Sequence, residues 1–122
     1  MKKEKVIDSK KIGAFFGEFA YINKNTLGYD CIKYILKNDI DCTGDLEKTV
    51  YPILTQKFKT KVGIIKQSLT YFLNNCRHNA RFGMPEEFRK YYDQIRDADA
   101  KRTVEESNFA FISICKRYLK EN

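Results

Sequence analysis

The sequence predicts an all-α protein of about six helices, folded as a single helical domain over residues 1–122. Apolar residues recur at helical spacing along almost the whole chain, and no alternating strand pattern of useful length is present. Only two prolines and six glycines are available for the turns of a β-sandwich. Nine Phe, eight Tyr and a hydrophobic content of 43% supply a core and argue against disorder, although 32% of the residues are charged.

The first two helices are predicted from a capping residue that is followed by an apolar face. Ser9 and Thr26 are the predicted caps, because a side-chain oxygen there can accept from backbone N–H groups that a helix start leaves free. The apolar face of the first helix consists of Ile12, Phe15, Phe16 and Phe19. The inner side of the second consists of Leu27, Cys31, Tyr34, Ile35 and Leu36.

The next two helical segments lie close together in the middle of the chain. The third runs from about Leu46 to Phe58 and contains Pro52, which indicates either a kink or a fresh first turn. The fourth runs from Thr60 to about Asn75. The break between the two apolar segments is the short basic stretch Lys59-Thr60-Lys61, about three residues long.

The last two helices are predicted from their first turns. Pro85 is followed by two glutamates, and proline with acidic residues favours a helix start. Thr103 and Glu106 have the spacing of a capping box. The residues that the final helix is expected to bury are Phe109, Ile112, Cys115 and Leu119.

The cysteines and the apolar segments bear on compartment and cofactors. Cys31, Cys42, Cys76 and Cys115 match no zinc-binding spacing, and the single histidine, His78, cannot complete a common site. Two extracellular disulfides are the alternative, but no apolar signal core follows the basic N-terminus, so we expect reduced, buried thiols in a cytoplasmic protein. No stretch approaches the roughly 20 apolar residues of a membrane-spanning helix. No metal or other cofactor is predicted.

The net charge of +7 is concentrated in one part of the chain. Residues 57–90 contain eight Lys and Arg against two Glu, whereas residues 1–56 contain nine against eight and residues 91–122 six against six. Such a block is typical of proteins that bind a polyanion. A solvated basic face without a partner is the alternative that charge alone leaves open.

The fourth segment carries the functional prediction. Thr60 is expected to cap it, and one apolar stripe is expected to face the core, formed by Val62, Ile65, Leu69, Phe72 and Cys76. With the preceding segment it forms a predicted helix-turn-helix over about residues 52–76. The second helix, over about residues 61–75, is then the recognition helix that enters the major groove of double-stranded DNA.

The residues expected to contact DNA surround the turn and the outer face of this helix. Lysines there suit phosphates, Gln67 and Asn74 can pair with adenine edges, and Ile64 and Thr70 suit thymine methyl groups, which predicts a site rich in A·T pairs. The complete predicted set is Lys57, Lys59, Thr60, Lys61, Gly63, Ile64, Lys66, Gln67, Thr70, Tyr71, Asn74, Arg77 and Arg81. No nucleophile–base arrangement and no phosphate-binding glycine loop is present, so we do not expect an enzyme.

The stretch EKTVYPILTQKFKTKVGIIKQSL, residues 47–69, resembles the C-terminal effector domain of the stage-zero sporulation response regulator of endospore-forming bacteria. The matching positions are Lys48, Thr49, Tyr51, Pro52, Lys57, Phe58, Thr60, Ile65 and Leu69. A weaker similarity covers residues 27–29 and 107–109, so that it extends from about residue 12 to 119. The resemblance implies a six-helix all-α domain whose fourth helix is the recognition helix, and a homodimer on tandem DNA sites.

The chain departs from that family at the base-reading positions. The family carries arginines at the positions of Ile64 and Gln67, another basic residue at Thr70 and a histidine at Tyr71. The family's target sequence is therefore not carried over. About eleven residues precede the first helix, so we expect a stand-alone effector domain without the family's phosphorylated receiver. The alternative is a degenerate effector domain that binds or antagonises a full-length regulator.

Overall fold

A computed structural model describes residues 7–19, 22–42, 46–78, 83–96 and 101–121. These residues form helices and connecting turns without a strand, which confirms the predicted all-α class. The helices are α1 (Ser9–Gly17), α2 (Leu27–Lys37), α3 (Leu46–Thr49), α4 (Tyr51–Phe58), α5 (Val62–His78), α6 (Glu86–Arg96) and α7 (Val104–Glu121).

The described part of the chain has seven helices rather than about six, because the third predicted segment divides near Pro52. α3 ends at Thr49, and Pro52 lies in the first turn of α4, where its missing N–H has no intrahelical partner to lose. The Thr55 hydroxyl donates to the Pro52 carbonyl over 2.9 Å. Of the two effects predicted for this proline, a fresh first turn is therefore the correct one.

The predicted cap of α1 is wrong, whereas the cap of α2 is confirmed. The Asp8 carboxylate accepts from the Lys11 N–H over 2.8 Å, so Asp8 is the cap and Ser9 is the first helical residue. A carboxylate is also favoured by the positive end of the helix dipole. At α2, the Thr26 hydroxyl accepts from the Tyr29 N–H over 3.2 Å, as predicted.

The capping box that begins α7 is confirmed in both of its hydrogen bonds. The Thr103 N–H donates to a Glu106 carboxylate oxygen over 2.8 Å, and the Glu106 N–H donates to the Thr103 hydroxyl over 3.1 Å. These bonds lower the pKa of Glu106. α6 likewise follows Pro85, whose carbonyl accepts from Phe88 and Arg89.

Aromatic rings from α1, α5, α6 and α7 form much of the core. The Phe15 and Phe88 ring centroids lie 5.0 Å apart, and those of Phe16 and Phe72 lie 5.5 Å apart. In α7, Phe111 is buried and Phe109 is only half-buried, which corrects the predicted set. The neighbouring predicted positions Ile112, Cys115 and Leu119 are buried.

All four cysteines are buried free thiols, as the sequence predicted. Burial raises the pKa of Cys31 to about 12 and that of Cys42 to about 11. Few thiolates therefore form near neutral pH, and the thiolate is the reactive species.

α2 and α5 approach each other closely at Gly28. A Cβ atom at this position would lie 2.3 Å from the Ser68 carbonyl oxygen and 2.7 Å from Phe72 Cβ. Only glycine allows the two backbones to approach this closely. The contact therefore fixes how α5 lies against the rest of the domain.

The buried face of α5 is wider than the predicted stripe and begins later. Ile65, Leu69, Phe72 and Cys76 are buried as predicted, and Leu73 is buried as well. Val62 is wrongly predicted, because its side chain is 49% exposed in the first turn of the helix. Three helices, α2, α4 and α7, pack against α5. The buried surface of α5 is therefore wider than the single apolar stripe predicted from the sequence.

We predict opposite effects of alanine at the two glycines of α2 and α5. Gly28→Ala should destabilise the fold by about 1–3 kcal/mol, because the added methyl group meets backbone that must shift. Gly63→Ala should stabilise by up to about 1 kcal/mol, since nothing lies within 4 Å of the added atom. Denaturant unfolding measures both changes, and equal stabilities for the two variants would contradict the close α2–α5 approach.

We also predict that Leu69→Ala and Phe72→Ala each cost about 2–5 kcal/mol, because both side chains are buried in the core. Tyr71→Ala is the matched control on the same helix, and its side chain is 67% exposed. Thermal and denaturant unfolding of the three variants should rank them by burial. A Leu69→Ala protein that keeps the parent melting temperature would show that the inward face of α5 is wrongly assigned.

Candidate nucleic-acid interface

A turn of three residues joins α4 to α5, over residues 59–61. Lys59 adopts the left-handed conformation, with φ 52° and ψ 49°, and ends α4. The N–H groups of Lys59 and Thr60 both donate to the Thr55 carbonyl, which satisfies an otherwise free acceptor at the helix end. The chain therefore reverses tightly, and α5 packs against α4.

The predicted cap of α5 by Thr60 is wrong. The first backbone bonds of this helix run from Ile64 and Ile65 to the Lys61 carbonyl, each over 3.1 Å. Lys61 therefore occupies the capping position, and the helix begins at Val62 and continues to His78. The recognition helix predicted over residues 61–75 is thus displaced and extended, and the α4–α5 pair spans residues 51–78 rather than 52–76.

Three exposed lysines surround this turn, as predicted. Lys57 lies over the Tyr34 ring, with its ammonium group 5.3 Å from the ring centroid, which orients the stem without neutralising the charge. Lys59 and Lys61 are exposed on the turn itself. Within the described ranges, none of the three forms an ion pair, so the region carries a local positive charge.

One stripe of α5 stays exposed along the whole helix. Its members recur at steps of three or four residues and are Gly63, Ile64, Gln67, Tyr71, Asn74 and His78. We call these residues the exposed stripe. Tyr71 lies in its middle and is 67% exposed, and Ile64 near its start is 44% exposed. His78 was not among the predicted contact residues, although its spacing of four from Asn74 indicates the same face.

A second flank of α5 faces α7, and it carries three of the predicted DNA contacts: Lys66, Thr70 and Arg77. The Lys66 ammonium group lies 2.8 Å from a Glu105 oxygen and 3.0 Å from a Glu47 oxygen. Hydrogen bonds to these two carboxylates raise the pKa of Lys66, and the bond to Glu105 has the larger effect. One cation with two anions leaves a net local charge of −1, so this position does not favour a phosphate.

The other two flank residues are held by one buried amide, Asn108, which is 1% exposed in α7. The Asn108 amide nitrogen donates to the Thr70 hydroxyl over 3.1 Å. The Arg77 guanidinium donates to the Asn108 amide oxygen over 2.8 Å and also to the Asn74 amide oxygen. Because a guanidinium has donors only, both amide oxygens must face Arg77, and their nitrogens point elsewhere.

An open depression of about 510 Å³ lies beside the C-terminal half of the exposed stripe. Its lining residues are Tyr71, Asn74, Asn75, Arg77 and His78. The lining combines an aromatic face with hydrogen-bonding groups. Arg81, the last of the predicted contact residues, lies outside the described residues.

Two other features of the described residues bear on function. They contain no group of three acidic, histidine or cysteine side chains that would hold a metal ion. No helix among them has the length and apolar character required to cross a membrane.

Comparisons with protein-family models, with curated proteins and with solved structures identify no match to this chain.

Proposed function

We propose that this protein is a sequence-specific DNA-binding transcriptional regulator, in which α4 and α5 act as a helix-turn-helix. The observation that carries the proposal is the arrangement of the turn and α5. Three lysines, none of which forms an ion pair within the described residues, precede a helix whose outer face stays exposed from Gly63 to His78. Phosphate contacts fix the register of such a helix, and exposed side chains then contact base edges.

The dimensions of α5 suit this role. Its 17 residues correspond to a length of about 25 Å at 1.5 Å per residue, and the major groove of B-DNA is about 12 Å wide. With α5 lying along the groove, the lysines of the turn would lie beside the phosphates of one strand. The free N–H groups of the first helical turn also favour a phosphate.

The side chains that can contact bases are those of the exposed stripe. Gln67 offers both a donor and an acceptor, which suits the adenine edge, and Ile64 suits a thymine methyl group. Gly63 allows close approach of the backbone, since an added Cβ would meet nothing within 4 Å. Lys66 and Thr70 are excluded from base reading in this proposal, because both are engaged by neighbouring helices.

The resemblance of residues 47–69 to the sporulation-regulator effector domain supports the same function. It suggests a cytoplasmic regulator that binds tandem sites as a homodimer. The tight turn over residues 59–61 and the exposed polar face of α5 agree with the role that the resemblance gives to the fourth helix of that family. The family's base-reading residues are absent, so we propose a different target sequence.

A second candidate is a protein-interaction module that binds a full-length regulator. The exposed apolar side chains of Val62, Ile64 and Tyr71 favour it, because aromatic and apolar groups are common in interface cores. If every DNA fragment tested binds at micromolar affinity or weaker and no consensus emerges, this candidate replaces the first.

We predict that DNA affinity depends strongly on salt and that the lysines of the turn carry most of this dependence. The logarithm of the affinity should fall against the logarithm of salt concentration with a slope of roughly −3 to −5. Replacement of Lys57, Lys59 and Lys61 by Ala should flatten the slope by about three units, one for each phosphate contact. Fluorescence anisotropy titrations across a salt series measure it.

The matched control removes the same charge from other helices and their ends. Lys10, Lys37 and Lys101 are exposed, and their replacement by Ala should lower affinity without changing the slope by more than about one unit. Equal slopes for the two triple variants would move the DNA-binding surface away from the α4–α5 turn.

We predict that Gln67→Ala abolishes an adenine preference at one base pair and leaves the salt slope unchanged. The lost contact should reduce discrimination there by about 1–3 kcal/mol, because a bidentate amide–adenine pair is removed. Selection from a random DNA pool, with the parent and the variant in parallel, measures the preference. A consensus that is identical for both proteins would exclude Gln67 as a base-reading residue.

A further inference from the structure

The hydrogen bonds around Asn74 restrict what this exposed side chain can read. An asparagine with a free amide offers one acceptor and two donors, and it pairs with adenine through both. Here the Asn74 oxygen already accepts from the Arg77 guanidinium. One of the two lone pairs of this oxygen is thereby occupied, and the adjacent cation makes the oxygen a poorer acceptor for a second donor. The side chain therefore presents mainly its amide donors to a ligand.

Arg77 is in turn held by a hydrogen bond to a buried side chain, that of Asn108. Asn108 is 1% exposed, and its amide oxygen accepts from Arg77 over 2.8 Å. Its amide nitrogen is held by the Thr70 hydroxyl, so the amide cannot rotate without loss of both bonds. A buried amide satisfied in this way is costly to disturb, and it holds the guanidinium beside Asn74.

We infer that Asn108 is a positioning residue that makes Asn74 a reader of guanine. In the major groove guanine presents two acceptors, N7 and O6, whereas adenine presents one acceptor and one donor. An amide that presents mainly donors matches the two acceptors of the guanine edge and pairs less well with the adenine amino group. This inference rests on the proposed DNA-binding function, and it replaces the adenine preference that the sequence alone predicts for Asn74.

The experiment uses the 122-residue chain and a duplex carrying the consensus selected from random DNA. The base pair read by Asn74 is identified as the one at which Asn74→Ala loses its preference. At this pair the unsubstituted protein should bind guanine about 5- to 100-fold more tightly than adenine, the range of one good base contact. Titrations with duplexes that differ only at this pair measure the ratio.

Variants at the two supporting residues separate positioning from general stability. Asn108→Leu removes the anchor of Arg77, and Arg77→Met removes the donor to Asn74, so both should abolish the guanine preference. Asn108→Asp keeps an acceptor for Arg77 and should therefore retain the guanine preference. All three variants should keep the adenine preference at the Gln67 base pair. General destabilisation of α5 would weaken that preference as well. Arg77 is only half-buried, so its variant provides the test even if Asn108→Leu does not fold.

The outcomes distinguish the inference from the function on which it rests. Absence of duplex binding by the unsubstituted protein would overturn both. Specific binding with adenine preferred at the Asn74 pair, or with no preference there, would overturn the inference alone. A guanine preference that survives Arg77→Met would do the same.

Discussion

The close approach of α2 to α5 at Gly28 is the constraint on which the arrangement of this domain depends. The Thr26 cap begins α2 two residues before this glycine, so the start of the helix and the contact are set together. Because Gly28 has no side chain, the backbone of α5 at Ser68 can lie directly against α2. α7 then covers a second side of α5, and among the described residues the exposed stripe of the helix remains open to solvent.

This packing divides α5 into three faces with different physical properties. The first is apolar and buried against α2 and the core. The second is polar but occupied, since Lys66, Thr70 and Arg77 bond to Glu105 and Asn108 of α7. The third is the exposed stripe, whose side chains are mostly polar but include Ile64 and Tyr71. The net charge of a segment therefore overstates the charge available to a partner, because Lys66 is already paired with two carboxylates of the protein.

The sequence predicted the features that depend on local spacing. The Thr26 cap, the capping box of Thr103 and Glu106, and the burial of Leu69 follow from residue type and helical period, and the structure confirms them. Features that depend on other helices were not predictable. Val62 fits the apolar period, but in the first turn of α5 its side chain stays 49% exposed, because the described helices do not cover it.

The surroundings of the candidate site could be predicted only in part, for the same reason. The lysines of the turn and the approximate position of α5 follow from local sequence, although the helix begins one residue later and ends three residues later than predicted. The flank that contains Lys66 and Thr70 is decided by Glu47, Glu105 and Asn108, which lie on helices distant in the sequence. A helical period identifies which residues share a face, but it cannot identify the groups that a distant helix brings against that face.

The left-handed backbone of Lys59 gives the turn a property beyond its shape. Helix ends of this kind usually carry glycine, because a side chain in this conformation costs roughly 1–2 kcal/mol. This chain accepts that cost and keeps an ammonium group at the point where α4 meets α5. Glycine here would relax the backbone and remove a charge in one step. At residue 59, lysine therefore adds positive charge at the cost of a strained backbone, and glycine would relieve the strain at the cost of that charge. Neither change affects the core.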